Sequence, residues 1–405
     1  MTAKTNLSLT EIYEVDEEYE RFNQKNNLLI RALWNEEMIE NDQKITSSLK
    51  QHTKNNKPGY SLFDYAYYQG IMNQLQNLNF GLNLCDQQAN SWSNIQSTET
   101  KAELPPEDEM AAIVKKASIK FGASAVGITE IDRRWVYSHW YDQEKKESFP
   151  LRFSDDDPQY GNIVTPTKLD DGTRIIPASM KYAVVILIDW DNDSLKYAPT
   201  MLARAASVKA YSDLTNLTLY IAGFIKALGY NAIPSINCTA LSIPLAIDAG
   251  LGEMGRSGKL IHPELGAKVR IAKVITDLPM STDSPQNFGI IEFCNSCKKC
   301  ARQCPAGALS KGGQAKTAID DTGADHYLRW VIDQKKCYKY WSECGTDCSV
   351  CIYVCPFNRG QRWSSSVSQL TLGKDDNLIH QLYEKIDNID DYGIAKKNSM
   401  KFWEE

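Results

Sequence analysis

The sequence predicts a mixed core of α+β or α/β type, preceded by a helical extension and followed by a small cysteine-rich unit. Three observations carry this expectation. Apolar, β-branched stretches alternate with helical periodicity between residues 107 and 285. The first hundred residues are rich in amides and aromatics. Nine of the eleven cysteines lie after Phe293.

At 405 residues the chain has room for two or three domains. Its 42% hydrophobic and 24% charged content is that of an ordinary globular protein. A net charge of -6 argues against a nucleic-acid partner held through phosphates. No apolar run reaches membrane-spanning length, the longest lying near Tyr182–Ile188. The opening MTAKTNLSLTEIYEVDEEYE is polar and acidic and contains no targeting segment.

Residues 1–106 read as helix and loop. KNNKPGYSLFDYAYYQGI turns at Pro58-Gly59 and then presents Tyr60, Phe63, Tyr65, Tyr67 and Tyr68. Pro105-Pro106 marks a boundary, and the acidic residues after it suit a helix N-terminus. Met110, Ile113, Val114 and Ala117 are expected to share that helix's buried face. Ala125–Ile128 and Tyr182–Ile188 read as buried strands, and Lys268–Thr276 as another. A long helix is expected from about Met201 to Leu228, ending at Gly229. Residues 107–285 therefore form the core, with a polar, turn-rich insertion at about 132–177. Residues 286–362 hold the cysteine blocks, and 363–405 form an acidic tail without motifs.

The first block, CNSCKKCARQCP, spaces Cys294, Cys297, Cys300 and Cys304 as C-x2-C-x2-C-x3-C-P. The second repeats its tail at Cys348, Cys351 and Cys355, again before proline. This is the bacterial ferredoxin pattern, in which the fourth cysteine ligates the other cluster. Two blocks imply two 4Fe–4S clusters and single-electron transfer. Zinc ribbons use paired C-x2-C rather than this triplet, and disulfide scaffolds belong to small secreted chains. Under the crossing rule Cys294, Cys297, Cys300 and Cys355 hold one cluster. Cys304, Cys348 and Cys351 need a fourth ligand, for which Cys337 and Cys344 are both available. Cys85 and Cys238 read as buried small hydrophobes. The five histidines fall in no metal-ligand spacing.

The core has no G-x-G-x-x-G after a strand, no Walker loop and no H-E-x-x-H. It does contain GLGEMGRSG, where Gly250, Gly252, Gly255 and Gly258 would let the backbone approach a ligand closely. Arg256 lies within the same stretch.

Nearly all of residues 11–360 resembles the corrinoid-dependent reductive dehalogenases. The resemblance begins at YEVDEEYERFNQKNNLLIRALW and continues through FGASAVGITEIDRRWVYSHWYD. It is strongest across LSIPLAIDAGLGEMGRSGKLIHPELGAKVRIAKVITDLPM and the cysteine blocks. It implies a nitroreductase-like core holding base-off cobalamin, flanked by two 4Fe–4S clusters. The absence of an Asp-x-His-x-x-Gly signature fits a family in which no histidine ligates the cobalt. The resemblance selects Cys337, in KKCYKYW, as the eighth ligand, and places the corrinoid over Gly250–Gly258. It makes Tyr211 the proton donor, assisted by Asn237 and Arg270. A phenol, with an ordinary pKa of about 10, is a neutral proton donor at pH 7, and a permanently charged guanidinium would stabilise the phenolate left behind.

The implied activity replaces halogen by hydrogen on a small chlorinated alkane or alkene, using Co(I) cobalamin fed by the clusters, as the terminal step of organohalide respiration. The implied partners are a separate electron donor and a small membrane-anchor protein at the outer face of the cytoplasmic membrane. That location presumes a mature chain without its twin-arginine signal. Aromatics of the N-terminal part, Phe80 and Trp92 among them, are expected to wall the substrate pocket. The alternatives are an epoxyqueuosine reductase acting on tRNA, which shares the cofactors, and a corrinoid-free electron-transfer protein.

Overall fold

The computed structural model describes residues 8–77, 101–359 and 400–404. Short helices α1 (Leu9–Ile12) and α2 (Leu28–Arg31) lead into α3 (Glu36–Lys54) and α4 (Leu62–Asn77). After Pro106, α5 (Glu107–Phe121) opens with three acidic residues, which complement the positive end of the helix dipole, and stops at left-handed Gly122. Strand β1 (Ala125–Glu130) follows. Next come β2 (His139–Asp142), β3 (Glu147–Phe153), β4 (Thr167–Lys168), β5 (Arg174–Ile176) and β6 (Tyr182–Asp189). Helix α6 (Asn192–Leu195) precedes the long α7 (Met201–Ala227), and β7 (Ala232–Ser235) precedes α8 (Ser242–Asp248). A hairpin of β8 (Glu253–Met254) and β9 (Leu260–Ile261) leads to β10 (Val269–Thr276). The cysteine unit carries α9 (Ile290–Cys297), α10 (Lys299–Gln303), α11 (Gln334–Cys344) and α12 (Val350–Tyr353).

The central sheet has the order β1–β6–β10–β7, and every neighbouring pair is antiparallel. The alternation of strands and helices thus resolves to the α+β form of the expected fold. Strand periodicity of two explains both faces. Val184, Ile186, Ala272 and Val274 pack towards α5 and α7, whereas Ala183, Val185, Leu187 and Ile275 pack towards α8 and the segment around Trp135. Each Val or Ile so buried contributes about 1.5–3 kcal/mol.

The polar stretch before Pro177 forms a separate small sheet, β2–β3–β5–β4, with β3 and β5 parallel. Helix α3 packs on α11 and α4 on α7, so the N-terminal helices touch both the core and the cysteine unit. The Tyr60 hydroxyl donates to the Cys344 carbonyl at 2.6 Å. On α5 one expectation is corrected: Ile113 is exposed and Ala117 only half-buried, while Ala111 and Ser118 are buried beside Met110 and Val114. The contact with β1 and α7 rotates the buried stripe towards Ala111 and Ser118. Phe80, Trp92, Cys85 and His380 lie outside the described residues.

Candidate active site

Arg270 shares its strand face with Ala272 and Val274, so it points at α7. Ser207 and Tyr211 lie one turn apart on that helix and meet it together. The Arg270 guanidinium donates to Ser207 Oγ at 2.7 Å. Its carbon stands 4.8 Å from the Tyr211 ring centre and 4.0 Å from the Trp190 ring centre. Asn237, in the loop after β7, brings its amide nitrogen to 3.3 Å from the Tyr211 hydroxyl. The loop is pinned in turn, because Tyr137 donates its hydroxyl to the Asn237 carbonyl at 3.1 Å. The structure therefore brings together the three residues singled out by sequence. Ser207, Trp190 and Tyr137 are additions. The signal for Ser207 was its place one turn before Tyr211; for the other two no sequence signal stood out.

Tyr211, Asn237 and Arg270 border a cavity of about 490 Å³. Small residues (Gly258, Ser242, Ala308 and Ser349) form parts of its wall. Lining side chains carry buried polar atoms without partners: Tyr19 Oη, Arg270 Nε, Trp330 Nε1 and Trp341 Nε1. A buried polar atom left unpaired is costly, so such a wall suits a large ligand with a polar rim. No histidine appears among the described residues lining the cavity.

The same cavity is bordered by Cys304, Cys337, Cys348 and Cys351. Cys294, Cys297, Cys300 and Cys355 instead surround a second, small void, together with Arg256 and Cys351. Electrostatics links the thiols within each set, with Cys351 close enough to act on Cys300 as well. The Cys300 and Cys355 thiols are raised well above their usual range, first by burial and then by Cys294 and Cys297, with Cys351 adding at Cys300 and Cys300 adding at Cys355. Burial pushes Cys337 up to about 12, with Cys351 and Cys304 adding to the rise. Thiols this buried and crowded ionise together only around positive charge, as an iron–sulfur cluster supplies. Among the described residues no three His, Cys, Asp or Glu side chains close on a single metal ion. Cys344 stands apart: its thiol donates to the Thr346 carbonyl at 3.0 Å, and it is absent from the cavity wall.

The glycine-rich stretch requires a correction. A Cβ on Gly252 (φ +150) would lie 2.2 Å from the Ile261 carbonyl oxygen, and one on Gly250 (φ +69) 2.8 Å from that of Ser284. At Gly255 it would meet the Ile261 side chain. These glycines let the β8–β9 hairpin close on the chain's own backbone. Only Gly258 of the four reaches the cavity wall. Arg256 is buried at the first cysteine set, donating to the carbonyls of Cys294 (3.0 Å), Asn295 (3.2 Å), Ser310 (2.9 Å) and Gly312 (2.7 Å). It braces the cysteine unit and does not line the cavity.

Residues 23–280 match the family model described as reductive dehalogenase subunit, and 293–358 match a 4Fe-4S double cluster binding domain. A tetrachloroethene reductive dehalogenase of Sulfurospirillum multivorans is 34% identical over 306 residues, covering 73% of this chain and 59% of that protein. One from Desulfitobacterium hafniense is 33% identical over 303 residues, 69% of this chain and 54% of that protein. The chain thus spans little more than half the length of these relatives. A solved catabolic reductive dehalogenase shares the fold with a TM-score of 0.67 at 23% identity, over 98% of this chain and 50% of that one. With its core and its cysteine unit each matched in order, the chain belongs to the reductive dehalogenase family.

Proposed function

We propose that this protein reductively dehalogenates a small chlorinated alkene or alkane, with the balance R–Cl + 2e⁻ + H⁺ → R–H + Cl⁻. One observation carries the reading: a single cavity is bordered both by a cysteine set suited to a 4Fe–4S cluster and by Tyr211, Asn237 and Arg270. Electrons and a proton can therefore reach the same bound molecule.

Cys294, Cys297, Cys300 and Cys355 would hold the outer cluster, and Cys304, Cys337, Cys348 and Cys351 the one at the cavity. The unpartnered polar wall and the small residues fit a corrinoid in that cavity, and the described lining offers it no imidazole ligand. The chemistry a bound cobalamin supplies is reduction of the carbon–halogen bond, with the clusters as its source of single electrons.

The chain's own residues supply the proton. Tyr211 presents its hydroxyl to the cavity and gives the proton to the reduced carbon as general acid. The Asn237 amide donates to the oxygen that is left, and the Arg270 guanidinium over the ring adds positive charge beside it. Ser207 and Trp190 hold Arg270 flat. Apolar side chains such as Ile243, Leu241 and Ile271 line the same cavity and exclude water. The related enzymes named for tetrachloroethene support a chlorinated ethene as substrate.

The reading includes a separate electron donor and a small anchoring partner at the outer face of the cytoplasmic membrane. Among the described residues no helix is long and apolar enough to cross a membrane. The test is an anaerobic assay of the purified, corrinoid-loaded protein with chlorinated ethenes, chloroalkanes and halophenols. Chloride release from a small chlorinated substrate is expected. Iron and sulfide without corrinoid uptake or chloride release would overturn the proposal.

A further inference from the structure

We infer that Lys273 is a positioning residue whose ammonium group fixes the loop carrying Asn237, and through it the amide that meets Tyr211. The inference deepens the proposed function and rests on the role given there to Asn237.

Between β7 and α8 the chain runs through residues 236–241 without forming helix or strand. Buried irregular backbone must still find partners for its carbonyls. Here each one does. The Asn237 carbonyl accepts from the Tyr137 hydroxyl, Cys238 from Ser235 Oγ at 2.5 Å, and Thr239 from the Tyr137 amide at 2.9 Å. The carbonyls of Ile236 and Ala240, on either side of Asn237, both accept from Lys273 Nζ at 2.7 Å. A third bond runs from Nζ to Ser242 Oγ at 2.9 Å, so each of the three ammonium protons has an acceptor.

Lys273 is fully buried. It lies on β10 three residues beyond Arg270, and strand periodicity turns it to the opposite face. One strand thus sends Arg270 to Tyr211 from one side and Lys273 to the Asn237 loop from the other. Burying an ammonium is unfavourable unless its bonds are made, and here two clamp the loop and the third holds the first residue of α8. The loop also holds Thr239 at φ +64, a conformation that a non-glycine residue keeps only when its surroundings enforce it.

A double-mutant cycle in the cofactor-loaded protein tests this, read by turnover and by hydrogen exchange of the peptide covering 236–242. Lys273→Met is expected to lower kcat about tenfold or more in the wild-type background and far less in Asn237→Ala, because both changes remove one interaction. Exchange in 236–242 should quicken while the β6 and β10 peptides keep their protection. Losses that multiply, or unchanged exchange, would overturn the inference and leave the role of Asn237 standing. If Asn237→Ala alone leaves turnover intact, that role fails and the inference with it. Should Lys273→Met not fold, Ser242→Ala removes one acceptor of the ammonium, together with the hydroxyl's own bond to the Ile236 carbonyl at 3.1 Å, without touching the charge. It is expected to give a smaller loss with the same failure to multiply, and a multiplying loss counts against the inference.

Discussion

The amide nitrogen of Asn237 stands 3.3 Å from the hydroxyl oxygen of Tyr211, across 26 residues of sequence and from a loop onto a helix. Tyr211 borders the cavity, and its oxygen already accepts a bond. A donor arranged this way holds the tyrosine oxygen in place before and after the proton leaves.

Arg270 sits between two rings and a hydroxyl, a geometry that needs a flat, multiply donating cation. Arg270→Lys keeps the charge and loses the stacking. A fall in kcat of about 10- to 100-fold with little change in KM is expected, since the stabilisation acts on the developing phenolate. Steady-state kinetics on a chlorinated ethene would show it.

Cys337 and Cys344 should behave differently. Cys337 borders the cavity beside Cys304, Cys348 and Cys351, whereas the Cys344 thiol is engaged with a backbone carbonyl. Cys337→Ser is expected to lose about half the iron, the share of one of two 4Fe–4S clusters. Cys344→Ser should retain nearly all of it. Iron analysis with electron paramagnetic resonance of the reduced protein distinguishes the two.

Asp248 ends helix α8, where a negative charge meets the negative end of the helix dipole. Its carboxyl is raised from 3.8 to about 7, chiefly by burial and next by the Asp132 carboxylate, against the opposing effects of Trp135 and Arg134. A folded pKa above the unfolded one means stability that is full below about pH 3.8 and lost as pH rises through about 7. Asp248→Asn should flatten the decline of Tm across that window. An unchanged profile would assign the decline elsewhere.

Gly252→Ala would place a methyl against the Ile261 carbonyl at a backbone angle that side chains disfavour. A destabilisation of more than about 1 kcal/mol is expected, read as a lower Tm. Gly258→Ala, at the cavity wall against the Ile332 side chain, should in addition weaken corrinoid uptake.

Much of this was legible in residue order. The β-branched runs appear as β1, β6 and β10, and the helix ending at Gly229 appears as α7. The cysteine spacing carries its own ligation rule for seven of the eight expected ligands, while the eighth, Cys337, was chosen over Cys344 by the family resemblance. The glycine stretch misled because a glycine needed for close approach does not say what approaches it. Here it is the hairpin's own backbone. Arg256 was drawn in by its neighbours, and its partners are carbonyls of the cysteine unit. Lys273 was passed over because its partners lie in a distant segment, which spacing along the chain does not reveal.

The central claim is that Tyr211 delivers the proton that replaces the halogen. The most direct measurement is anaerobic chloride release from tetrachloroethene by Tyr211→Phe, with iron and corrinoid content measured on the same sample. The account predicts wild-type levels of both cofactors and turnover reduced at least about 100-fold, the scale of a lost general acid. Near-normal chloride release by that variant would contradict it.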